Sequence, residues 1–269
     1  MNYNIDFLKK LEGCNSMNYF LDLQDNQVVL FADVLGFSNL IEENKGNSLY
    51  TEGKFIGNLE VLFKNIDEYF SHDNYQKAPG IKLNWISDSI FMSCDISSIN
   101  VLIEELIKLQ KQFVSFGLHL RGGIAVGENY HKKNIWGPAT IKAVKLESNI
   151  AIYPRIVIDS KDLKQLPLKE SYKKAFEIDL DGASYLNLFS LMIKEELCNF
   201  NYINVYIKDV INKFNDAKEL RVKQKYGWLK QNLIKTIKEN RELVNKIIQD
   251  HGKEKLKKEN IRTSEDFLK

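Results

Sequence analysis

The chain has 269 residues, enough for one large domain and an appendage, and its 44% hydrophobic and 28% charged content is ordinary for a soluble protein. A net charge of +2 gives no reason to expect a nucleic-acid partner, and three cysteines without C-x-x-C spacing argue against a disulfide framework or a zinc site. No apolar run reaches the roughly 18 residues of a membrane span, and no signal-peptide core is found, so we expect a cytoplasmic protein with no membrane partner.

Hydrophobic periodicity and turn residues predict six elements after a short amphipathic arm over 1–27. They are a strand at about 28–34, a helix within 52–70, strands at about 81–86 and 90–94, a helix capped by Ser97 or Ser98 and stopped by Gly117, and a strand at about 118–127. The resulting order is β-α-β-β-α-β, which is the ferredoxin-like plan of an α+β fold.

Two further elements and a helical extension follow this predicted core. Trp136-Gly137-Pro138 leads into a short helix that ends near Glu147, and residues 155–159 form the next predicted strand. Beyond these elements the pattern becomes helical and rich in lysine. We therefore expect a core domain over 28–204 and a helical C-terminal extension over 205–269.

Two aspartates occupy matched positions at strand ends. Asp33 ends an apolar run, and Asp88 lies where two predicted strands turn back on each other; the glycine-rich strand that contains Arg121 follows. Because carboxylate oxygens are the ligands that Mg²⁺ and Mn²⁺ prefer, this set indicates a site for a metal-bound triphosphate. Each residue also has a plain structural explanation: Asp33 as a helix cap, Asp88 as a turn residue and Arg121 as an ion-pair partner.

Four motifs resemble those of class III nucleotidyl cyclases and occur in the same order. The segment 31–38 (FADVLGFS) resembles the first metal motif, Ser87-Asp88 the second, 121–128 (RGGIAVGE) the R-x-G-I-x-x-G-E strand, and 134–147 the D-x-W-G…A-x-R-L helix start. The resemblance implies a class III cyclase core on the ferredoxin-like plan, with 28–204 as the catalytic domain.

The same resemblance implies roles for individual residues. Asp33 and Asp88 would hold two divalent cations, Mg²⁺ or Mn²⁺, which promote attack of the ribose 3′-hydroxyl on the α-phosphate and departure of pyrophosphate. Backbone N–H groups of Leu35-Gly36-Phe37 would cradle the terminal phosphates, because a strand there runs into a helix start. Arg121 would add a charge-assisted contact to phosphate.

Four positions depart from the purine-specific members of that family. Asn84 and Asn134 stand where those enzymes carry residues that read the purine. Asparagine offers both a donor and an acceptor and can pair with the edges of several bases, so we expect both residues to bind the base. The asparagine and arginine that steady the transition state become Ile141 and Lys145. Lys145 keeps a positive charge for catalysis but lacks the bidentate fork of arginine.

A second set of motifs resembles one branch, the pyrimidine cyclases of bacterial Pycsar antiphage systems. It comprises G-P-A at 137–139, L-E at 146–147, A-x-Y-P-R-I-x-I-D at 151–159, D-L-D-G at 179–182 and K-Y-G-W-L at 225–229. With the first set, the resemblance covers about 28–235. Within it, Arg155 is either a catalytic replacement for the missing transition-state arginine or part of a rigid strand start set by Pro154.

This second resemblance implies that UTP or CTP is converted to 3′,5′-cyclic UMP or CMP on phage infection, and that the product activates a separate effector protein. UTP is favoured because more branches of that family are uridylate cyclases; the residues themselves do not choose between the two bases. Class III cyclases usually act as dimers with shared active sites. In a homodimer, Asp33 and Asp88 would therefore face Asn134 and Lys145 of the partner subunit.

Other functions stay open on the sequence alone. An adenylate or guanylate cyclase is disfavoured by Asn84 and Asn134, and a diguanylate-cyclase-like palm by the lack of a second acid beside Asp88. A catalytically inactive cyclase fold, acting as a sensor or scaffold, is supported by the lost transition-state pair and opposed by the intact Asp33, Asp88 and Arg121. Acids are interspersed among the lysines of 218–258, which favours a solvated helix face over nucleic-acid binding.

Overall fold

The computed structural model describes residues 23–38, 41, 55–70, 80–132 and 134–250. The predicted N-terminal arm falls almost entirely outside these residues, and so does the end of the predicted helical extension, over 251–269. Among the helices of the described part, none is both long and apolar enough to cross a bilayer.

The strands and helices follow the predicted order. The strands are β1 (Gln24–Val34), β2 (Lys82–Ile86), β3 (Ser89–Asp95), β4 (Leu120–His131), β5 (Ile135–Trp136), β6 (Ile156–Ile158), β7 (Phe176–Ile178) and β8 (Ser184–Leu186). The helices are α1 (Phe55–Phe70), α2 (Ile99–Ser115), α3 (Pro138–Asn149), α4 (Ser160–Gln165), α5 (Glu170–Lys173), α6 (Leu188–Lys194), α7 (Phe200–Asp216), α8 (Leu220–Glu239) and α9 (Arg241–Asp250). The predicted α+β class, with a βαββαβ core and a helical C-terminal region, is confirmed.

The sheet is built around β1, which pairs antiparallel with β3 on one side and β4 on the other. The strand order is β2-β3-β1-β4-β6-β8-β7, and β5 pairs with β4 outside this path. β1 is apolar on both faces because both faces are covered: Val28 and Leu30 lie in the core formed with α1 and α2, whereas Val29 and Phe31 pack towards Ala139 of α3. Burial on both faces fixes the register of β1 against its neighbours.

The ends of α2 test two sequence predictions. Gly117 stops the helix as predicted: its φ of +69° lies in the left-handed region, and its N–H donates to the carbonyl of Val114 at 2.9 Å. The predicted serine cap is wrong in its chemistry. Ser98 stands at the N-cap, but its hydroxyl makes no capping hydrogen bond, and it is Asp95 that accepts the N–H of Ser97 at 3.0 Å in the preceding 3₁₀ turn.

The C-terminal helices pack directly on the core. The predicted boundary at 204/205 falls inside α7, and one continuous apolar core joins Val28 of β1 to Leu229 of α8 and Val244 of α9. α7 also makes a buried polar contact, because Asp209 accepts a hydrogen bond from Nε2 of His119 at 2.8 Å. The segment that leads into β4 is therefore held in place by the helical region.

Gly123 is where α3 approaches β4 most closely. A Cβ at Gly123 would lie 2.5 Å from the carbonyl oxygen of Ala143 and 2.6 Å from Cβ of Leu146, so Gly123→Ala must push the helix off the sheet. We expect it to lower the free energy of unfolding by about 1–3 kcal/mol, measured by urea denaturation. Gly227→Ala on α8 is the matched control; its Cβ would meet only the ring of Phe214 at 3.3 Å, and equal losses in the two variants would contradict this packing.

Candidate active site

The end of β1 brings Asp33 between two other strands. In the sheet register Asp33 lies opposite Ser89 of β3 and opposite Arg121 of β4. Because β3 runs antiparallel to β1, the turn that precedes β3 lies at the same end of the sheet, and the carbonyl of Asp88 in that turn accepts the N–H of Val34 at 3.2 Å. The backbone thus places both aspartates side by side.

The turn that carries Asp88 is the tight hairpin predicted from the sequence. Ile86 pairs with Ser89, so only Ser87 and Asp88 form the loop. Ser87 has a φ of +59°, a left-handed conformation that a two-residue hairpin loop requires and that glycine normally supplies. A serine held in this conformation is a local strain that the flanking strand pairs must support.

The pKa of Asp33 is raised to about 6 from its ordinary value of 3.8. Burial is the largest cause, since it disfavours the charged form; the hydrogen bond from Arg121 opposes it, and the negative charge of Asp88 adds to it. Two partly desolvated carboxylates that repel each other form a setting in which a cation is stabilised.

Arg121 lies between two acids. Its Nη2 and Nε atoms donate to Oδ2 of Asp33 at 3.0 and 3.3 Å, and its Nη2 lies 2.6 Å from Oε1 of Glu147. The side chain of Glu147 is 5% exposed, so Arg121 is the counter-ion of a buried carboxylate as well as of Asp33. In the sequence, Glu147 was identified only as part of a motif, and its contact with Arg121 was not predicted.

The predicted phosphate cradle needs one correction. The N–H of Leu35 donates to the carbonyl of His119 at 2.8 Å and is therefore taken by the backbone. Gly36 is exposed with a φ of +78°, and nothing lies within 4 Å of the position a Cβ would take. Phe37 packs edge-on against Phe63 at 6.3 Å. Only the N–H groups of Gly36 and Phe37 stay candidates for the cradle.

Arg155 occupies a structural position. Its side chain is fully buried, and its guanidinium pairs with Asp179 and Asp181 and donates to the carbonyl of Ile150 at 3.0 Å. The ring of Trp228 lies 5.8 Å from its guanidinium carbon. These contacts tie the segment before β6 to the β7–β8 turn, to the end of α3 and to α8, so this geometry supports the rigid strand start and does not support the catalytic role.

The remaining predicted residues lie on three other segments of the chain. Lys145 is exposed on α3, Asn134 is exposed just before β5, and Asn84 is half-buried on β2. In the part of the chain that the structure describes, no hydrogen bond or ion pair joins Lys145 or Asn134 to either aspartate. The shared site of a homodimer, which would bring these residues to the aspartates of a partner subunit, stays a prediction.

The aspartate pair suits a magnesium-type ion that is shared with a substrate. The described residues contain no group of three or more histidine, cysteine, aspartate or glutamate side chains that could hold a metal alone. Mg²⁺ in nucleotide sites is commonly bound by one or two carboxylates together with substrate phosphates and water. Asp33 and Asp88 supply oxygen donors of this kind, and the repulsion between them favours such an ion.

Comparison with known proteins gives structural resemblances only. No protein-family model matches the sequence, and neither does any curated protein. Similar structures include the guanylyl cyclase domain of the RhoGC fusion protein from the aquatic fungus Blastocladiella emersonii (17% identity, 61% of this chain and 96% of that chain, TM-score 0.39). The adenylyl cyclase CyaB from P. aeruginosa is 18% identical over 59% of this chain and 90% of its own, with a TM-score of 0.37.

A bacterial light-regulated adenylyl cyclase is similar over a longer stretch, 86% of this chain and 71% of that chain, at 13% identity and a TM-score of 0.42.

The Asp33 carboxyl should make stability depend on pH when divalent ions are removed. Its pKa of about 6 exceeds the ordinary 3.8, so the folded state holds the proton more tightly and the free energy of unfolding falls as pH rises through this window. The loss is roughly 3 kcal/mol at most. Urea denaturation with a chelator from pH 4 to 7.5 should show this fall in the native protein and a smaller one in Asp33→Asn; parallel curves would contradict it.

Proposed function

We propose that the chain is a nucleotidyl cyclase that forms a 3′,5′-cyclic nucleotide from a nucleoside triphosphate. The observation that carries the proposal is the convergence of Asp33 and Asp88 at one end of paired strands, with Arg121 hydrogen-bonded beside them. The ordered metal and phosphate motifs, which resemble class III cyclases, coincide with these positions. A nucleic-acid polymerase or a phosphatase would not explain the motif order.

The reaction is an in-line displacement within one nucleotide. The 3′-oxygen forms a bond to the α-phosphorus, the bond from that phosphorus to the bridging oxygen breaks, and pyrophosphate leaves while the hydroxyl proton passes to solvent or a base. Mg²⁺ or Mn²⁺ held by Asp33 and Asp88 would lower the pKa of the hydroxyl and stabilise charge on the phosphates.

Arg121 has a second task in this scheme. In the structure it neutralises Asp33, and a cation bound at Asp33 would take over that part of its role. The guanidinium, still anchored by Glu147, would then donate to a substrate phosphate oxygen, where charge-assisted hydrogen bonds are strong. The exposed N–H of Gly36 would contribute a further donor at the turn after β1.

We propose further that the substrate is a pyrimidine nucleotide, with UTP favoured over CTP, and that the product is a signal in antiphage defence that activates a separate effector. Support comes from the sequence: Asn84 and Asn134 replace purine-reading residues, and the 137–159 motifs resemble the Pycsar branch. Asn84 lies on β2, four residues before Asp88 and opposite Phe91 of β3, at the same end of the sheet as the aspartate pair.

The direct test is a panel of nucleotides. Purified protein is incubated with ATP, GTP, CTP or UTP and Mn²⁺, and cyclic products are identified by mass spectrometry. We expect cyclic UMP as the main product and a loss of at least 100-fold in Asp33→Asn and Asp88→Asn, because removing one carboxylate removes a metal ligand that acts in the transition state.

The outcomes separate the alternatives. A purine cyclic nucleotide as the main product would overturn the substrate assignment and leave the cyclase proposal standing. No cyclic product from any of the four nucleotides, with the protein shown to be folded, would overturn the cyclase proposal in favour of a sensor or scaffold.

A shared site in a homodimer should allow complementation. If metal ligands come from one subunit and Lys145 from the other, an Asp33→Ala chain mixed with a Lys145→Ala chain forms one site without either defect. We expect the mixture to regain roughly a quarter of native activity, because half of the dimers are mixed and each has one intact site. Absence of rescue in a heterodimer demonstrated by differential tags would argue that each site is built within one chain.

A further inference from the structure

Helix α8 lies across the end of the sheet where the candidate site is found. The ring of Tyr226 packs edge-on against His119 at 5.7 Å, two residues before Arg121 on the chain. Trp228 stacks on Tyr153 at 5.6 Å with nearly parallel rings. These contacts fix the rotation of α8 about its own axis. Tyr226 contacts the residue just before β4, and Trp228 contacts Tyr153, which lies shortly before β6.

This orientation brings Lys225 to the aspartate pair. Lys225 is half-buried and lies near enough to interact electrostatically with Arg121, Asp33 and Glu147. Arg221, one helical turn earlier, shares its face of α8 and also interacts with it. Lys225 of the C-terminal extension therefore lies near charged residues of β1, β4 and α3, and Arg221 lies beside Lys225.

The electrostatic setting of Lys225 favours an incoming anion. Burial lowers its pKa, and the positive charges of Arg121 and Arg221 lower it further, against the opposing effect of Asp33 and Glu147. Within the part of the chain that the structure describes, neither Lys225 nor Arg221 has a hydrogen-bonding or ion-pair partner. Lys225 is thus close to Asp33 and Glu147 without forming an ion pair with either, and Arg221 lies beside it.

We propose that Lys225 and Arg221 bind the β- and γ-phosphates of the nucleoside triphosphate, in the same chain that holds Asp33 and Asp88. The inference rests on the proposed function and deepens it, because it assigns to α8 a positive charge in addition to that of Lys145, which stands where purine cyclases carry an arginine. Pyrophosphate accumulates negative charge as it leaves, so cations fixed beside it stabilise the transition state as well as the bound substrate.

Other lysines of α8 have a different environment and provide matched controls. Lys223 and Lys230 lie over the ring of Phe214, with their Nζ atoms 5.3 and 4.9 Å from its centroid. Phe214 belongs to α7, so these two side chains are directed at the helical extension rather than at Asp33. Lys223→Met removes the same charge from the same helix and should leave phosphate binding unchanged.

The binding experiment uses tripolyphosphate, which carries the charge of the substrate without its base or sugar. Its affinity for the full chain with Mn²⁺ is measured by calorimetry for the native protein, Lys225→Met, Arg221→Met and Lys223→Met, with thermal unfolding as the check on folding. We expect Lys225→Met to weaken binding about tenfold, Arg221→Met to weaken it less, and Lys225→Arg to restore most of the affinity. Equal affinities in Lys225→Met and Lys223→Met would overturn the inference.

Kinetics separate this inference from the proposed function. In the nucleotide panel, Lys225→Met should raise KM and lower kcat, whereas Lys223→Met should change neither. If the native protein cyclises nucleotides but these two variants have identical KM and kcat, the cyclase proposal stands and the role of Lys225 is contradicted. A native protein that forms no cyclic product, yet binds tripolyphosphate in a manner that depends on Lys225, would overturn the cyclase proposal and support the role of Lys225 in phosphate binding.

Discussion

The register of β1 is the constraint on which the candidate site depends. β1 is buried on both faces between β3 and β4, and this burial sets Asp33 opposite Ser89 and Arg121. A slip of one residue would exchange the two faces of the strand and bury the carboxylate while turning Ala32 or Val34 to the site. Apolar packing along the strand therefore decides where the charge of Asp33 lies.

That packing brings like charges together, and the fold compensates with arginine. Asp33 meets both the charge of Asp88 and the loss of water, and Arg121 offsets part of this while it also neutralises Glu147. The arrangement neutralises the acids only in part and leaves the pKa of Asp33 well above its ordinary value. Sites of this kind exchange stability for the capacity to bind a cation and a phosphate chain.

The sequence predicted what depends on local pattern. The βαββαβ order, the Ser87-Asp88 turn and the stop at Gly117 follow from periodicity and turn chemistry. It did not predict contacts between distant segments: the pairing of Arg155 with Asp179 and Asp181, the use of the Leu35 N–H by His119, and the approach of Lys225 to Asp33. Periodicity identifies the buried face of a helix such as α8, but not the surface that it covers.

The hydrogen bonds of His119 bear on how such a chain can evolve. Its carbonyl accepts the N–H of Leu35 in the turn after β1, and its imidazole is held by Asp209 of α7. Exchange of the helices for another module would leave that imidazole buried without its acid and loosen the strand beside the turn. At this contact the helices and the sheet can therefore change only together.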